Sequence, residues 1–237
     1  MTGGRPRLLS VVIPAMNEEA GIGQVLEAIP RATLKEIGWD VEVVVVDGES
    51  VDRTREIAAE KAARVVVEPR RGYGRAYKTG FARARGDVIA TGDADTTYPF
   101  EKLPELVATL ERDNLDFLTT DRLEGLEDGS MGTKHRFGNS VLSATMRALF
   151  LVDVHDSQSG MWLFRRSALE RLRLTSDGMP FSEEIKIEAF TRGLRAREVP
   201  IPYRARVGEV KLNSFRDGWR NLVFLFRKRL GIAEPES

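Results

Sequence analysis

Apolar runs alternate with helix-like segments through the first half of the chain. The run Leu8–Ile13 ends at Pro14, and Val41–Val46 is mostly β-branched, as expected for a strand buried on both faces of a parallel sheet. Further strands are predicted at Arg64–Glu68 and at 86–92, with a helix between successive strands. This β-α-β-α-β order indicates an α/β fold, with a doubly wound, Rossmann-like, mostly parallel sheet flanked by helices.

Capping and turn residues set the predicted helix limits in this half. Asn17 is a candidate cap for a helix that runs to about Ile29, and Asp52 for a second helix that runs through Ala63. A third helix is predicted through Tyr77 to Arg85.

The second half is less regular, and we interpret residues 1–237 as a single domain. Its predicted elements, in chain order, are helix Phe100–Arg112, strand Asp116–Thr120, a polar loop Glu124–Thr133, helix Gly138–Phe150, strand Met161–Phe164, helix Glu183–Thr191, strand Arg195–Ile201 and an amphipathic helix at 214–230.

Composition narrows the class of protein. The 237 residues are 42% hydrophobic and 30% charged, and 36 basic residues balance 36 acidic ones, so nothing marks a nucleic-acid partner. The chain contains no cysteine, which excludes disulfides, thiolate metal sites and a cysteine nucleophile. No signal-peptide pattern follows Met1, and no apolar run approaches the ~20 residues of a membrane span. A cytoplasmic location is therefore expected.

The sequence Asp93-Ala94-Asp95 directly follows the predicted strand at 86–92. Two carboxylates one residue apart can bind one hard cation, which commonly also binds substrate phosphates. The pattern therefore favours a Mg²⁺ or Mn²⁺ site for a diphosphate. Asn17 and Asp47 also follow predicted strands, and ligands of doubly wound sheets bind at that edge.

Two further segments have alternative interpretations. The glycine-rich stretch Gly72–Gly80, with Arg71, Arg75 and Lys78 nearby, either brings backbone amides to a phosphate or forms a tight strand–helix turn. Its spacing is neither the dinucleotide fingerprint nor a P-loop. Asp47 either accepts a hydrogen bond from a base or ribose hydroxyl or belongs to a helix-capping turn.

These motifs together resemble those of one enzyme family. Residues 14–18 (Pro-Ala-Met-Asn-Glu), 46–54, the glycine-rich turn and 93–95 occur in the order seen in inverting family 2 glycosyltransferases with a GT-A fold. The sequence is most similar to the dolichyl- or polyprenyl-phosphate mannose and glucose synthases, over roughly residues 8–212.

The resemblance implies roles for particular residues. Those synthases bind the lipid phosphate with two arginines and a serine, and Arg122, Arg136 and Ser140 have the matching spacing of fourteen and then four residues. The implied catalytic set is Asp93, Asp95, Arg122, Arg136, Ser140 and Lys211, with Asp93 and Asp95 as metal ligands. The implied nucleotide-sugar-binding set is Pro14, Ala15, Asn17, Glu18, Asp47, Arg71, Gly74, Lys78, Asp93, Ala94, Asp95, Arg206 and Lys211.

The chain also departs from the family pattern. Met16 replaces an aromatic residue, Gly48 a second aspartate and Val210 a serine. Thr97 stands where mannose synthases often have glutamine, and this favours UDP-glucose over GDP-mannose as the donor.

The function that the resemblance implies is metal-dependent, inverting transfer of a hexose to a polyprenyl or dolichyl phosphate. The alternative is a soluble family 2 enzyme with a non-lipid hydroxyl acceptor, for which Asp156 or Glu184 is a candidate general base. A nucleotide-sugar-binding module and a nucleotidyltransferase are weaker alternatives. The sequence does not determine the oligomeric state, and a homodimer is one of the alternatives.

The tail helix at 214–230 has two interpretations. Its mixture of aromatic and basic residues is typical of a helix lying in a membrane interface, and peripheral association with the inner face of the cell membrane would follow. The other interpretation is a helix packed on the domain with a solvated basic face.

Overall fold

The structure, a computed structural model, describes residues 7–126, 132–207 and 214–232. The strands within these ranges are β1 Arg7–Ala15, β2 Trp39–Asp47, β3 Arg64–Val67, β4 Val88–Thr91, β5 Phe117–Leu126, β6 Trp162–Arg165 and β7 Ala196–Tyr203. They form one sheet in the order β3-β2-β1-β4-β6-β5-β7.

The sheet is parallel except at β6. The strand β1 pairs in parallel with β2 and β4, β2 pairs with β3, and β5 pairs with β7, whereas β6 runs antiparallel to both β4 and β5. The predicted mostly parallel α/β sheet is therefore confirmed. Because β1, β2 and β4 run in the same direction, the residues that follow them lie along one edge of the sheet.

Helices cover both faces of this sheet. The α-helices in the described ranges are α1 Ile22–Ala28, α2 Arg31–Glu36, α3 Thr54–Glu60, α4 Tyr73–Arg83, α5 Leu103–Arg112, α6 Thr133–Phe150, α7 Phe181–Thr191 and α8 Ser214–Arg229. Short 3₁₀ helices lie at Phe100–Lys102 and Arg166–Arg171. None of the helices in this part of the chain is both long and apolar enough to cross a bilayer.

Alternation along the central strands divides the core into two layers. In β1, Val11 and Ile13 belong to one buried cluster, whereas Val12 between them belongs to the cluster on the other face. This period of two is what a strand buried on both faces requires. Helix α4 lies very close to this strand, because a Cβ on Gly80 would come within 2.3 Å of Val12 Cγ1.

The structure corrects several predicted boundaries. Helix α1 begins at Ile22 rather than near Asn17, because the Asn17 side chain accepts a hydrogen bond from the backbone N–H of Val51 instead of capping a helix. Helix α6 begins at Thr133, five residues before its predicted start. The first residues of the predicted polar loop at 124–133 belong to β5, and the prediction missed α2.

Glu68 organises the turn between β3 and α4. Its carboxylate accepts hydrogen bonds from Arg70 Nε at 2.8 Å, from Arg70 Nη2 at 2.9 Å and from Thr79 Oγ1 at 2.6 Å. Its side chain is only 5% exposed. The hydrogen bonds from Arg70 and Thr79 lower the pKa of Glu68 to about 2.

We predict that Glu68→Gln destabilises the protein by roughly 1.5–3 kcal/mol at neutral pH, because hydrogen bonds to a charged group are lost. The ionised carboxylate stabilises the folded state above the ordinary glutamate pKa, and this contribution disappears as the pH falls toward 2. Urea unfolding between pH 7 and pH 3 should therefore show the two proteins converging in stability. The matched control is Glu56→Gln, on the exposed surface of α3, for which we expect a smaller loss. A difference that stays constant with pH would contradict this role of Glu68.

Candidate active site

A cavity of about 520 Å³ opens at the carboxyl edge of the sheet. Its walls come from the segments after β1, β2 and β4, from the start of α4, and from β5, α6 and the end of β7. The predicted site residues that line it are Pro14, Ala15, Glu18, Arg71, Asp93, Ala94, Asp95, Arg122 and Arg206.

Asp93 lies half-buried in this wall, beside two tyrosine hydroxyls. Tyr73 and Tyr77 each donate a hydrogen bond of 3.3 Å to Asp93 Oδ1. Burial raises the pKa of Asp93 to about 7, and the negative charge of Asp95 adds to the effect. A cation at this position would favour the ionised form of Asp93.

Asp95 is almost fully buried and has a fixed orientation. Its Oδ1 accepts hydrogen bonds from the backbone N–H of Thr97 at 3.2 Å and from Thr97 Oγ1 at 2.6 Å. Its Oδ2 lies 2.6 Å from Arg206 Nη2. One oxygen of Asp95 is therefore hydrogen-bonded to Thr97 of its own loop, and the other lies beside the guanidinium of Arg206.

The two carboxylates suit a cation whose remaining ligands come from a substrate and from water. No group of three or more histidine, aspartate or glutamate side chains could hold a metal ion within 7–126, 132–207 and 214–232. Mg²⁺ is commonly bound by one or two carboxylates, with substrate phosphates and water completing the shell. Asp93 and Asp95 meet that requirement.

Arg122 of β5, which also lines the cavity, forms a bidentate ion pair with Asp156. The distances are 2.7 Å from Arg122 Nε to Asp156 Oδ2 and 2.9 Å from Arg122 Nη2 to Asp156 Oδ1. The guanidinium carbon lies 5.1 Å from the centre of the Tyr203 ring. These contacts use Nε and Nη2, and the Arg122 side chain also lines the cavity.

Asp156 is a structural partner rather than a group open to substrate. Burial alone would raise the pKa of Asp156, but the charge and hydrogen bonds of Arg122 bring it below its ordinary value. Lys186 Nζ donates to the Asp156 backbone carbonyl at 2.7 Å, and Glu198 Oε1 accepts from the Asp156 N–H at 3.0 Å. The other candidate base, Glu184, is fully buried and accepts hydrogen bonds from the backbone N–H groups of 175 and 176.

The glycine-rich turn has mainly structural contacts. A Cβ on Gly74 would lie 2.5 Å from the Ser176 carbonyl oxygen, so this glycine permits close packing between two segments. Lys78 Nζ lies 2.5 Å from Asp177 Oδ1 and donates to the Thr175 carbonyl. The structure thus does not bring Gly74 or Lys78 to the cavity.

Asn17 and Asp47 connect the segments that follow β1 and β2. Asp47 is fully buried, and its Oδ2 accepts a hydrogen bond from the backbone N–H of Ser50 at 3.0 Å. Asp47 Oδ1 is buried and has no hydrogen-bond partner within the described residues. Gly48, the next residue, lines the cavity, and Asn17 does not.

The first turns of α6 present different residues from those predicted. His135 and Asn139, one turn apart, line the cavity, whereas Arg136 and Ser140 lie on an exposed neighbouring face of the helix. Ser140 Oγ donates to the Arg136 carbonyl oxygen at 2.9 Å. Lys211, also predicted, lies outside the described residues.

Sequence reasoning missed several residues of the cavity wall. His135 and Asn139 are four residues apart and therefore lie on one face of a helix that begins at Thr133. The predicted start at 138 leaves His135 outside the helix, which is why this pair is missing from the prediction. Nothing local marked Gln158, Met179 and Tyr203, which reach the cavity from distant parts of the chain.

The chain is similar in sequence to known glycosyltransferases. The family model described as "Glycosyl transferase family 2" matches residues 10–173. The chain is 44% identical over 219 residues to the low-salt glycan biosynthesis hexosyltransferase Agl6 of Haloferax volcanii, covering 92% of this chain and 52% of that protein. The chain thus spans about half the length of this relative. It is 39% identical over 211 residues to a dolichyl-phosphate hexose transferase of the same organism, with 89% of each chain covered.

A solved structure shares the fold. Glucosyl-3-phosphoglycerate synthase from Mycobacterium tuberculosis, crystallised with Mn²⁺, UDP and glucosyl-3-phosphoglycerate, superposes with a TM-score of 0.75 at 26% identity, covering 96% of this chain and 81% of that one. The GT-A fold is therefore confirmed.

We predict that Asp156→Asn destabilises the protein by about 3–5 kcal/mol, because it removes the charge that compensates buried Arg122. Arg122→Met in the same background should restore part of that loss. A double-mutant cycle from urea unfolding measures the coupling. Strictly additive effects of the two changes would contradict a stabilising ion pair.

Proposed function

Since the chain belongs to glycosyl transferase family 2, we propose that it transfers a hexose from a nucleotide sugar, UDP-glucose or GDP-mannose, to a polyprenyl or dolichyl phosphate. The transfer inverts the anomeric carbon and depends on Mg²⁺ or Mn²⁺. Its activity as a glycosyltransferase follows from the family. The donor, acceptor, metal dependence and stereochemistry are proposals.

One observation carries the proposal: a single cavity is lined both by a carboxylate pair that follows β4 and by an arginine of β5. Asp93 and Asp95 suit a cation with a diphosphate, and Arg122 suits a second anion. Transfer of a sugar from one phosphate group to another requires two anion-binding sites, one for the donor diphosphate and one for the acceptor phosphate.

At the donor end, Asp93 and Asp95 would hold the metal, and Arg206 lies beside them. A bound divalent cation would neutralise the charge that develops on the leaving nucleoside diphosphate. Arg206 already contacts Asp95, so it is close enough to exchange that carboxylate for a phosphate oxygen. Asp47 does not itself line the cavity, but the adjoining Gly48 does, and we propose that the buried Asp47 Oδ1, without a partner within the described residues, accepts a hydrogen bond from a hydroxyl or N–H of the nucleoside.

At the acceptor end, an anionic phosphate needs no strong general base. Among the described residues, the cavity-lining carboxylates are Glu18, Asp93 and Asp95, and two of these are the proposed metal ligands. Asp156 and Glu184 are engaged in buried hydrogen bonds. This distribution supports a phosphate acceptor over a hydroxyl acceptor, and the similarity to a dolichyl-phosphate hexose transferase supports it further.

A non-lipid acceptor is the second candidate, because the solved relative is named for the glucosylation of phosphoglycerate. In that case Glu18 is the cavity carboxylate left for the role of general base. The two candidates therefore differ in whether Glu18 is needed for the transfer step.

The outer face of α8 suits a membrane-bound acceptor. Trp219, Phe226 and Leu230 are 62%, 48% and 72% exposed and, at helical spacing, form a stripe on one face. Arg216 and Arg220 lie along one side of this stripe. Exposed aromatic residues beside arginines suit an anionic bilayer surface.

The inner face of α8 packs on the rest of the protein. Phe224 and Leu225 are buried in a cluster with residues of α6 and α7, and Lys228 forms ion pairs with Glu184 and Glu188. We therefore propose one domain over residues 1–237, in which α8 is both a packed helix and a peripheral membrane contact.

The transfer reaction gives the first test of this function. Purified protein is offered UDP-glucose and GDP-mannose, each with a short polyprenyl phosphate and Mg²⁺ or Mn²⁺, and organic-phase product is counted. We expect product with one donor and none in Asp95→Asn. Arg136 is exposed on α6, next to the cavity-lining His135, and we propose that it contacts the lipid phosphate at the rim of the cavity. We expect Arg136→Ala to lower lipid transfer about tenfold or more while donor binding is kept, because a charge-assisted phosphate contact is lost.

The matched control is Lys134→Ala, on an exposed position of the same helix, which should transfer like the wild type. Full lipid transfer by Arg136→Ala would contradict its role as a phosphate ligand. Metal-dependent donor hydrolysis without lipid product would move the acceptor to a non-lipid molecule, and would direct attention to Glu18→Gln.

Membrane contact is tested separately by co-sedimentation with vesicles containing anionic lipid. We expect the double variant Trp219→Ser/Phe226→Ser to bind roughly tenfold more weakly, because less apolar area enters the interface. The control Ile37→Ser changes an exposed apolar side chain on another part of the surface, after α2, and should bind like the wild type. Equal binding by all three proteins would exclude α8 as the contact.

A further inference from the structure

Gln158 lies where three helices meet the wall of the cavity. Its Nε2 donates to Ser157 Oγ at 3.0 Å and to Glu183 Oε1 of α7 at 2.8 Å. Its Oε1 accepts a hydrogen bond of 2.7 Å from Asn221 Nδ2 of α8. Ser157 in turn contacts Ser143 of α6 through a hydroxyl–hydroxyl distance of 3.2 Å. The side chain therefore has one orientation set by several elements.

These contacts leave a defined hydrogen-bonding group for a ligand. A primary amide has two N–H donors and one oxygen with two lone pairs. The protein uses both donors and one lone pair of Gln158. The hydrogen-bonding capacity that these contacts leave to Gln158 is thus the second lone pair of Oε1, which accepts a hydrogen bond and cannot donate one.

The position of Gln158 indicates which part of a substrate it meets. The segment Asp156–Gly160 begins at the residue that binds Arg122 and ends beside Asp93. A Cβ added to Gly160 would lie 3.6 Å from Asp93 Oδ1. Gln158 is in the middle of this segment and lines the cavity. Along this segment it lies between the residue that binds the proposed acceptor arginine and the residue beside the proposed metal ligand, and it thus belongs to the wall past which the sugar would move.

We propose that Gln158 accepts a hydrogen bond from one hydroxyl group of the transferred hexose, and that Asn221 and Glu183 are positioning residues for it. The inference rests on the proposed function and extends it to the sugar subsite. A sugar hydroxyl matches an acceptor-only amide oxygen, so this contact selects for the presence and direction of one hydroxyl group.

Burial explains why the two positioning residues hold the amide firmly. The side chains of Glu183 and Asn221 are 0% and 4% exposed, and each has one oxygen, Glu183 Oε2 and Asn221 Oδ1, without a hydrogen-bond partner within the described residues. Their remaining polar atoms are satisfied by Gln158. Rotating the amide away would leave buried polar groups unpaired, which is costly.

Calorimetric titration with Mn²⁺ tests the inference. The ligands are UDP, UDP-glucose and monodeoxy UDP-glucose analogues, with the GDP-mannose series in parallel. Removal of one particular hydroxyl should weaken wild-type binding about threefold to tenfold, the value of one neutral hydrogen bond. Gln158→Met, similar in length, should bind the nucleoside diphosphate like the wild type. It should bind the intact sugar nucleotide about threefold to tenfold more weakly and lose its dependence on that hydroxyl.

Asn221→Leu provides a second variant outside the cavity. Because it frees the amide without touching substrate, we expect it to reduce the dependence on the same hydroxyl, with nucleoside-diphosphate binding retained. Retained binding of the nucleoside diphosphate also shows that each variant is folded. The comparison variant is Asn139→Leu, which removes a different cavity amide and should leave the dependence on that hydroxyl unchanged.

The outcomes separate this inference from the proposed function. If Gln158→Met responds to every missing hydroxyl as the wild type does, the sugar contact is wrong although the donor assignment stands. If the wild-type protein binds neither nucleotide sugar, the proposed function fails, and the inference fails with it. A Gln158→Met protein that does not fold leaves the decision to Asn221→Leu, whose unchanged hydroxyl dependence would overturn the positioning role.

Discussion

The ion pair of Arg122 with Asp156 is the interaction on which the second half of the molecule depends. It joins the middle of β5 to the segment before β6, and the backbone of that segment is bonded in turn to Lys186 of α7 and Glu198 of β7. A buried pair is stabilising only when its remaining polar atoms are also satisfied. Here the bidentate geometry and the surrounding hydrogen bonds meet this condition. As a result a positive charge is held at the cavity wall in a fixed place.

At the carboxylate part of the cavity wall, burial and like charges disfavour the ionised form of Asp93. Asp93 and Asp95 place two carboxylates close together in a partly desolvated environment, and the raised pKa of Asp93 reflects the energetic cost. Arg206 and two tyrosine hydroxyls offset only part of it. The cavity wall thus combines two carboxylates, whose ionised form a bound cation would favour, with an arginine whose charge is already paired.

The sequence predicts most of the fold, because period-two and helical patterns are local signals. Val41–Val46 and the residues after each strand were enough to indicate a parallel sheet and its functional edge. Side-chain partners are a different matter. The resemblance predicts Lys78, beside a glycine-rich turn, as a nucleotide-sugar-binding residue, yet Lys78 pairs with Asp177, almost a hundred residues further on. No local pattern could show that contact, or that Gln158 is held by residues of α7 and α8.

The order of the strands gives the chain a modular organisation. Strands β1 to β4 carry the carboxylate wall, whereas β5, α6 and the segment before β6 carry the arginine wall, and the two sets meet through the short antiparallel pairing of β4 with β6. Apart from Arg206, which contacts the carboxylate wall from beyond β7, the residues of each wall thus come from a continuous stretch of sequence. Substitutions in the later stretch can change the acceptor specificity while the carboxylates of the donor site stay the same. The donor and acceptor specificities of such a chain can therefore evolve independently.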